Sequence, residues 1–516
     1  MIYVVFFARE GYIFSCTIKE KEERILGRGS KVLQIEKMDR RELGYYYTPD
    51  FVARYLTDRL RMIQPNGRTV LDPCVGKEEL VTHFLADGYT VDGVDIFRHE
   101  ETYGCTFTQM NFIDVYREQR EPREPLHYDY YIANPPYNCH EVDYIQKNKK
   151  ELKTLFSDVG VHNMYSMFIS ALIDVAKDGA VLGLITYDSF FTAKAHQNLR
   201  RKILETCTIH EITMCPTDLF HEQSADVRTS IIILQKGTSY QKGVYAKNRP
   251  ISTAAFTEQL QQQLTEFMNG EVDTHTLDEL ILNDEKDYAE WMIDCPVEVK
   301  KLFQYDRLGD KFDCVTGIST GKDALYLSKE KRAPFTIPFY KNPGSHRFYA
   351  PVRLYLHEDF LEFDRMIKTF NVRNKQLLYQ SGITCSSMGV AFTASRLPKN
   401  ATYGVNANII CEDEDVWWLL AYLNSDLVTY LVRGILNRSN MVTSGYVARV
   451  PLLPFTNEQK SQLGILAKQA YELAEQQYAY EDQLKDINDM IHRVTAFSNE
   501  TTKKIKEFNR NLVQRT

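Results

Sequence analysis

The tetrapeptide Asn134-Pro135-Pro136-Tyr137 follows directly on the apolar run Tyr128–Ala133. Two consecutive prolines fix φ and remove two backbone donors, so the turn that leaves this strand is rigid. A short amide and an aromatic ring project from it. The side-chain oxygen of Asn134 and the carbonyl of Pro135 offer two acceptors for the two hydrogens of one exocyclic amine, and no proline N–H competes for them. Tyr137 offers a flat face on which a planar base stacks, worth about 1–3 kcal/mol per base. This set of groups suits methylation of a nucleobase nitrogen. Accepting both hydrogens favours a pyramidal nitrogen, whose lone pair is then free to attack an electrophilic methyl. Out of context, the same four residues make an ordinary Pro-Pro turn.

Other strand-to-loop junctions carry polar groups. Val70-Leu71-Asp72-Pro73-Cys74-Val75-Gly76-Lys77 leads from an apolar run into a helix-like segment. Loops of this kind let the backbone approach a nucleoside cofactor. Gly93-Val94-Asp95 ends the next run with a carboxylate that can hold the two hydroxyls of a ribose, or can simply face solvent. Asn111-Phe112 supplies a polar group and a ring to flank an adenine, or a loop residue and a core residue. It is their order along the chain that joins these elements into one reading.

The elements that must position these residues are legible between Gly67 and Gly237. Apolar runs at Thr69–Leu71, Thr90–Val94, Tyr128–Ala133, Ala180–Thr186 and Thr229–Leu234 alternate with amphipathic stretches at Glu78–Leu85, Tyr165–Ala176 and Ala195–Thr206. This alternation predicts an α/β, Rossmann-like, mostly parallel sheet with helices on its faces, whose ligands bind at the carboxyl ends of the strands. It stops after about Ser239. Residues 246–455 read as a separate α+β domain. From Thr456, the spacing of Leu463, Leu466, Ala470, Leu473, Gln477, Tyr480, Leu484, Ile487, Ile491 and Val494 predicts one long helix with a single seam, packed on a helix of this chain or of a second protomer. The expected division is 1–245, 246–455 and a helical tail at 456–516.

Bulk properties narrow the class. The chain has 516 residues, 44% hydrophobic and 25% charged, with a mean hydropathy of −0.37, which fits two or three globular domains rather than disorder. The opening Ile2–Ala8 run lacks a basic flank and stops at Arg9-Glu10, so no secretory signal is expected. Ten scattered cysteines with no CxxC pair argue against a zinc site or disulfide framework and for a reducing cytoplasm. The net charge of −7 conceals an asymmetry: Gly317 to Asn400 holds 13 Lys and Arg against 6 Asp and Glu. A basic segment on an acidic body serves as a phosphate-contact surface or as a solvated face.

Taken together, these motifs resemble the gamma-class N6-adenine DNA methyltransferases, in which cofactor motifs precede the catalytic motif and a target-recognition domain follows. Tyr46-Tyr47-Thr48-Pro49 resembles the segment that touches the methionine end of S-adenosylmethionine. Asp72-Pro73 with Gly76 is similar to the main cofactor loop, Asp95 to the ribose-binding acid, Asn111-Phe112 to the adenine-contacting pair, and Asn134-Pro135-Pro136-Tyr137 to the catalytic motif. Asn163-Met164-Tyr165 and Gly179 to Phe191 look like the motifs that follow. Leu219-Phe220 through Ile231 resembles the segment whose aromatic packs on a flipped base, which gives that role to Phe220. Weaker likeness reaches to about residue 460.

Two positions depart from the pattern. Glu78 stands where a second glycine is usual, and Asn111 where an acid is common. The resemblance implies S-adenosylmethionine as cofactor, no metal, duplex DNA as partner, and adenine N6 as the methyl acceptor. It also implies a restriction-modification setting, with any cleavage expected in a separate endonuclease. Two alternatives remain: an amine methyltransferase acting on RNA or protein glutamine, and a catalytically silent DNA-recognition module.

Overall fold

In the computed structural model the five apolar runs become strands of one eight-stranded sheet. The residues described are 47–119, 125–137, 141–215, 219, 229–238, 243–247, 256–270, 274–282, 287–293, 295–388, 391–437 and 441–512. The strands are β1 (Thr69–Asp72), β2 (Thr90–Asp95), β3 (Thr106–Gln109), β4 (Tyr130–Ala133), β5 (Val181–Tyr187), β6 (Cys207–Met214), β7 (Thr229–Lys236) and β8 (Tyr245–Lys247). Their order is β3-β2-β1-β4-β5-β7-β6-β8. Strands β3 through β5 run parallel, and β7 runs antiparallel to both β5 and β6. This is the Rossmann-like fold the alternation predicted.

Alternate residues of the central strands enter different cores, as the two-residue repeat of a strand dictates. Val70, Tyr130, Ile132, Val181, Ile231 and Ile233 face one side. There they meet Val52, Leu56 and Leu60 of helix α1 (Asp50–Ile63) and Phe84 of α2 (Thr82–Ala86). Leu71, Tyr131, Ala133, Leu182, Ile232 and Leu234 face the other. Their partners come from α3 (Phe112–Gln119), α4 (Glu141–Leu155), α5 (Met164–Val175) and α6 (Gln197–Thr206). Both faces are covered, which is why β4 and β5 read as unbroken apolar runs. Beyond residue 245, Leu260, Leu264 and Phe267 of α7 (Phe256–Asn269) still pack in the first core, and Trp291 and Ile293 in the second.

Strands β3, β6 and the three-residue edge strand β8 escaped the sequence reading. Strand β3 lies at the sheet edge and consists of Thr-Phe-Thr-Gln, only partly buried. Strand β6 is buried throughout yet contains His210 and Glu211, which interrupt its apolar pattern. Glu211 is fully buried because partners surround it. Tyr55 donates to its Oε2, Thr213 Oγ1 donates to its Oε1 at 3.0 Å, and Arg59 Nε lies 3.4 Å away. The expected Glu78–Leu85 helix shortens to α2 because the chain is in a left-handed conformation at Glu78, with φ of 68°.

The C-terminal half forms two further four-stranded sheets. In one, Gly382–Cys385 lies between Ala394–Leu397 and Asn408–Ile410, and Asp313–Val315 closes the edge. In the other, Phe335–Tyr340 pairs with Leu354–His357 and Thr402–Tyr403. Helix α8 (Asp413–Leu423) packs on the tail, which is helical but is not the single long helix expected. It divides into α9 (Asn457–Glu475), α10 (Glu481–Thr495) and α11 (Asn499–Leu512). Gln477 and Ala496 take positive φ at the two breaks and turn the chain back. Leu463, Ala470, Ile487 and Ile491 of the seam therefore fold into one core with Leu419 and Leu423 of this same chain. Among the described residues no helix is long and apolar enough to cross a membrane.

Removing one partner of a buried ion pair strands the other charge, at about 3–5 kcal/mol. Glu211→Ala is therefore expected to lower the denaturant midpoint of the first unfolding transition by that equivalent. A midpoint within error of wild type would show that Glu211 holds nothing.

Candidate cofactor and catalytic site

The neighbour order around β1 reverses, with β2 on one side and β4 on the other, and in such sheets the crevice opens at the carboxyl ends of those strands. Asp72, Asp95 and Asn134 all stand at those ends. A hollow of about 270 Å³ lies there, lined by Thr48, Asp72, Gly76, Asp95, Asn111, Phe112, Asn134 and Pro136 of the residues expected from sequence.

Its rim is stapled from loop to loop. Gly76, at φ of 54°, donates its N–H to Asp95 Oδ2 at 3.0 Å. Asp95 Oδ1 accepts from the Phe97 N–H at 3.0 Å, so both carboxylate oxygens are aimed. The Cys74 thiol donates to the Asn134 carbonyl at 3.4 Å, tying the β1 loop to the β4 loop. Glu78 occupies the position where glycine is usual and adopts a glycine-like backbone. Its carboxylate accepts the N–H groups of Cys105 (2.8 Å) and Gly104 (3.1 Å) instead of filling the hollow. The departure thus pins a neighbouring loop and leaves the hollow open.

Asp72 is 1% exposed, and its Oδ1 accepts the Cys74 N–H at 3.0 Å. Burial raises its pKa to about 7, and the charge of Asp95 adds to the rise. Asn111 Oδ1 accepts the Ile113 N–H at 3.0 Å at the start of α3, and Tyr144 hydrogen-bonds the same side chain. Phe112 lies 5.4 Å from Phe168 between ring centroids, forming an apolar wall with Met110 and Met164.

At the catalytic motif the structure departs from expectation in part. Asn134 Nδ2 donates to Thr48 Oγ1 at 3.1 Å, so Thr48 fixes the orientation of the amide. The Tyr137 hydroxyl donates to Asn134 Oδ1 at 2.5 Å and to the Ile185 carbonyl at 3.2 Å. Its ring is 2% exposed and lies 4.3 Å from that of Tyr187, so in this conformation it presents no open face for a base. Burial is the main reason its phenol is held well above the ordinary pKa. Pro135 is buried, and Tyr47 is 49% exposed; neither lines the hollow. Phe220 and Tyr46 lie outside the described residues.

Sequence reasoning passed over Glu79, Ile96, Phe97, His99 and Tyr144, all of which line the hollow. A signal was present for one pair: Ile96-Phe97 is an apolar pair directly after a strand-end acid, and both side chains are exposed.

Fold and site together define a Rossmann-like methyltransferase. The N-6 DNA Methylase profile matches residues 34–291, half of the chain, and the chain belongs to that family. It is 22% identical over 257 residues to the type II methyltransferase M.BstVI of Geobacillus stearothermophilus, covering 44% of this chain and 43% of that one. It is also 22% identical over 231 residues to the methylase subunit of the type I restriction enzyme MjaIX of Methanocaldococcus jannaschii, covering 40% of each. The match thus spans less than half the length of either relative.

Among solved structures, the DrdV–DNA complex superposes with a TM-score of 0.54 at 11% identity, over 84% of this chain and 58% of that one. A nuclease-deletion mutant of the Type ISP restriction-modification enzyme LlaGI, in complex with a DNA substrate mimic, gives 0.53 at 12%, over 89% and 57%. These two likenesses concern the fold.

S-adenosylmethionine is the cofactor that goes with the family, and the donor set of the hollow fits it. Asp72, Glu79 and Asp95 line the hollow beside an apolar wall, a lining that suits a cationic ligand carrying a ribose and a base.

The raised pKa of Asp72 has a consequence for stability. The unfolded chain releases this proton near pH 4 and the folded chain near pH 7, so rising pH across that window favours the unfolded state. Asp72→Asn removes the effect. Its stability relative to wild type is expected to rise from pH 4 to 7, by up to roughly 4 kcal/mol. Melting curves of the ligand-free proteins at several pH values check this, and parallel pH profiles would count against it.

Proposed function

We propose that the protein is a site-specific DNA methyltransferase that transfers a methyl group to the N6 amine of an adenine extruded from duplex DNA. The observation that carries this reading is the Asn134 amide, fixed by Thr48 at the edge of the cofactor hollow. S-adenosylmethionine supplies a methyl activated by its sulfonium charge. Asp95 takes the ribose, Asn111 and Phe112 flank the adenine of the cofactor, and Thr48 lies toward the methionine end.

Asn134 Oδ1 and the Pro135 carbonyl accept the two hydrogens of the target amine. The Tyr137 hydroxyl occupies Asn134 Oδ1 in the structure, so the incoming amine displaces it. The freed ring then leaves Tyr187 and stacks on the extruded base, with Phe220 packing at the base edge. Unstacking a base costs a few kcal/mol, and this stacking offsets it.

The C-terminal half is proposed to read the target. Lys329, Lys331, Arg332, Arg365, Lys368 and Arg373 of the basic segment are exposed, which suits phosphate contact. The three-part division at 245 and 455 belongs to this proposal. The packing of Leu260, Leu264, Phe267, Trp291 and Ile293 against the sheet cores supports moving the first boundary to about 293. A separate endonuclease as partner is part of the same restriction-modification reading.

Modification-sensitive sequencing of DNA from a host expressing the protein is expected to show N6-methyladenine in one sequence context. Asn134→Ala should reduce transfer at least about a hundredfold, since it removes the group that orients the amine, while S-adenosylhomocysteine still binds. Transfer by Asn134→Ala at the wild-type rate, or label appearing on RNA or protein and not on DNA, would overturn the assignment.

A further inference from the structure

A second hollow, of about 410 Å³, lies in the C-terminal half. Phe339, Pro343, Pro351 and Leu354 give it apolar walls, and Lys341, His346 and Arg353 supply its basic groups. No carboxylate is among the described lining residues. Lys341 is already paired with Asp323. Arg353 Nη2 instead donates to His346 Nε2 at 2.8 Å. A guanidinium is always protonated, so the imidazole is the acceptor and is neutral. Burial and the adjacent guanidinium both hold His346 below its ordinary pKa. The pairing therefore orients Arg353 without cancelling its charge, and leaves most of its N–H donors for another partner.

The amide groups of the lining are engaged elsewhere. Asn342 Oδ1 accepts the Gly344 N–H at 3.1 Å and the Ser387 N–H at 3.4 Å. Asn406 is buried and donates to Thr384 Oγ1 at 2.7 Å. The hollow is thus rich in donors and fits a ligand edge that carries acceptors. Its loop is pinned: Thr393 Oγ1 donates to the Gly344 carbonyl at 2.7 Å, and Ser395 Oγ donates to the His346 carbonyl at 2.9 Å. Met441 lines both this hollow and the crevice between the two halves, which Lys194, beyond β5, lines from the other half. A duplex along that crevice touches both at once.

Duplex DNA offers such donors its phosphates and its base edges. Phosphates suit exposed cations, whereas a concave hollow with apolar walls suits a flat base. The major-groove edge of guanine presents N7 and O6 side by side, a pair that a guanidinium matches with two hydrogen bonds. We propose that Arg353 reads a guanine of the target sequence at this hollow, with His346 as its positioning residue. This rests on the DNA methyltransferase reading above.

Modification-sensitive sequencing of DNA from hosts expressing the full chain gives the methylated motif of each variant. Arg353→Gln is expected to go on methylating adenine but to lose about ten- to a hundredfold of the preference for guanine at one position. His346→Ala should lose part of the same preference, and His346→Gln, whose side-chain oxygen still accepts from Arg353, should keep it. Anisotropy titrations then compare the target duplex with one carrying 7-deazaguanine at that position, which lacks the N7 acceptor. Wild type should bind the altered duplex about tenfold more weakly, and Arg353→Gln should bind both alike. The wild-type comparison stands even where a variant fails to fold. A motif without guanine, equal binding of the two duplexes by wild type, or an unchanged motif in Arg353→Gln would overturn the inference. So would an equal loss at every site, which marks a phosphate contact. If wild type placed no N6-methyladenine in DNA, the proposed function would fall and this inference with it. If wild type methylated a motif that Arg353→Gln left unaltered, only the role of Arg353 would fall.

Discussion

The site depends on one constraint: β1 and β4 lie side by side and parallel, Val70 opposite Tyr130 and Leu71 opposite Tyr131. Parallel neighbours end at the same edge, so groups far apart in sequence leave the sheet together. Cys74 and Asn134, sixty residues apart, touch only for this reason. Because β2 lies on the other side of β1, Asp95 joins the same edge. Everything that faces the hollow hangs on these registers, which are set by side chains buried on both faces.

Much of this was legible in the sequence because buried parallel strands leave long apolar runs, and the polar residues that end them are conspicuous. Asp72, Asp95 and Asn134 were found in this way. The parts that were missed have physical causes. Strand β6 hides behind Glu211, a charge tolerated because Arg59, Tyr55 and Thr213 surround it, and no local pattern announces partners that distant. The tail kept its seam but not its length, because one left-handed residue at Gln477 and another at Ala496 reverse a helix without altering its spacing. Glu79 sits on a loop, where side-chain direction follows from the turn and not from a repeat.

Under the proposed function, two demands meet on one residue. Asn134 must be rigid, and Thr48 and the neighbouring prolines see to that. Its oxygen must also be available, yet an unmet buried acceptor is costly. The Tyr137 hydroxyl satisfies it while the ring fills space against Tyr187. One aromatic residue thereby serves as a stand-in for the base and, under the proposed function, as its stacking partner.

Arg449 joins the two halves of the molecule. It is 8% exposed, donates to the Thr192 carbonyl at 2.7 Å just beyond β5, and pairs with Glu290. Arg449 and Glu290 are both buried, so deleting either side chain alone would strand the charge of the other. Under the proposed function, a duplex held by the C-terminal half faces a sheet edge that Arg449 ties to that half.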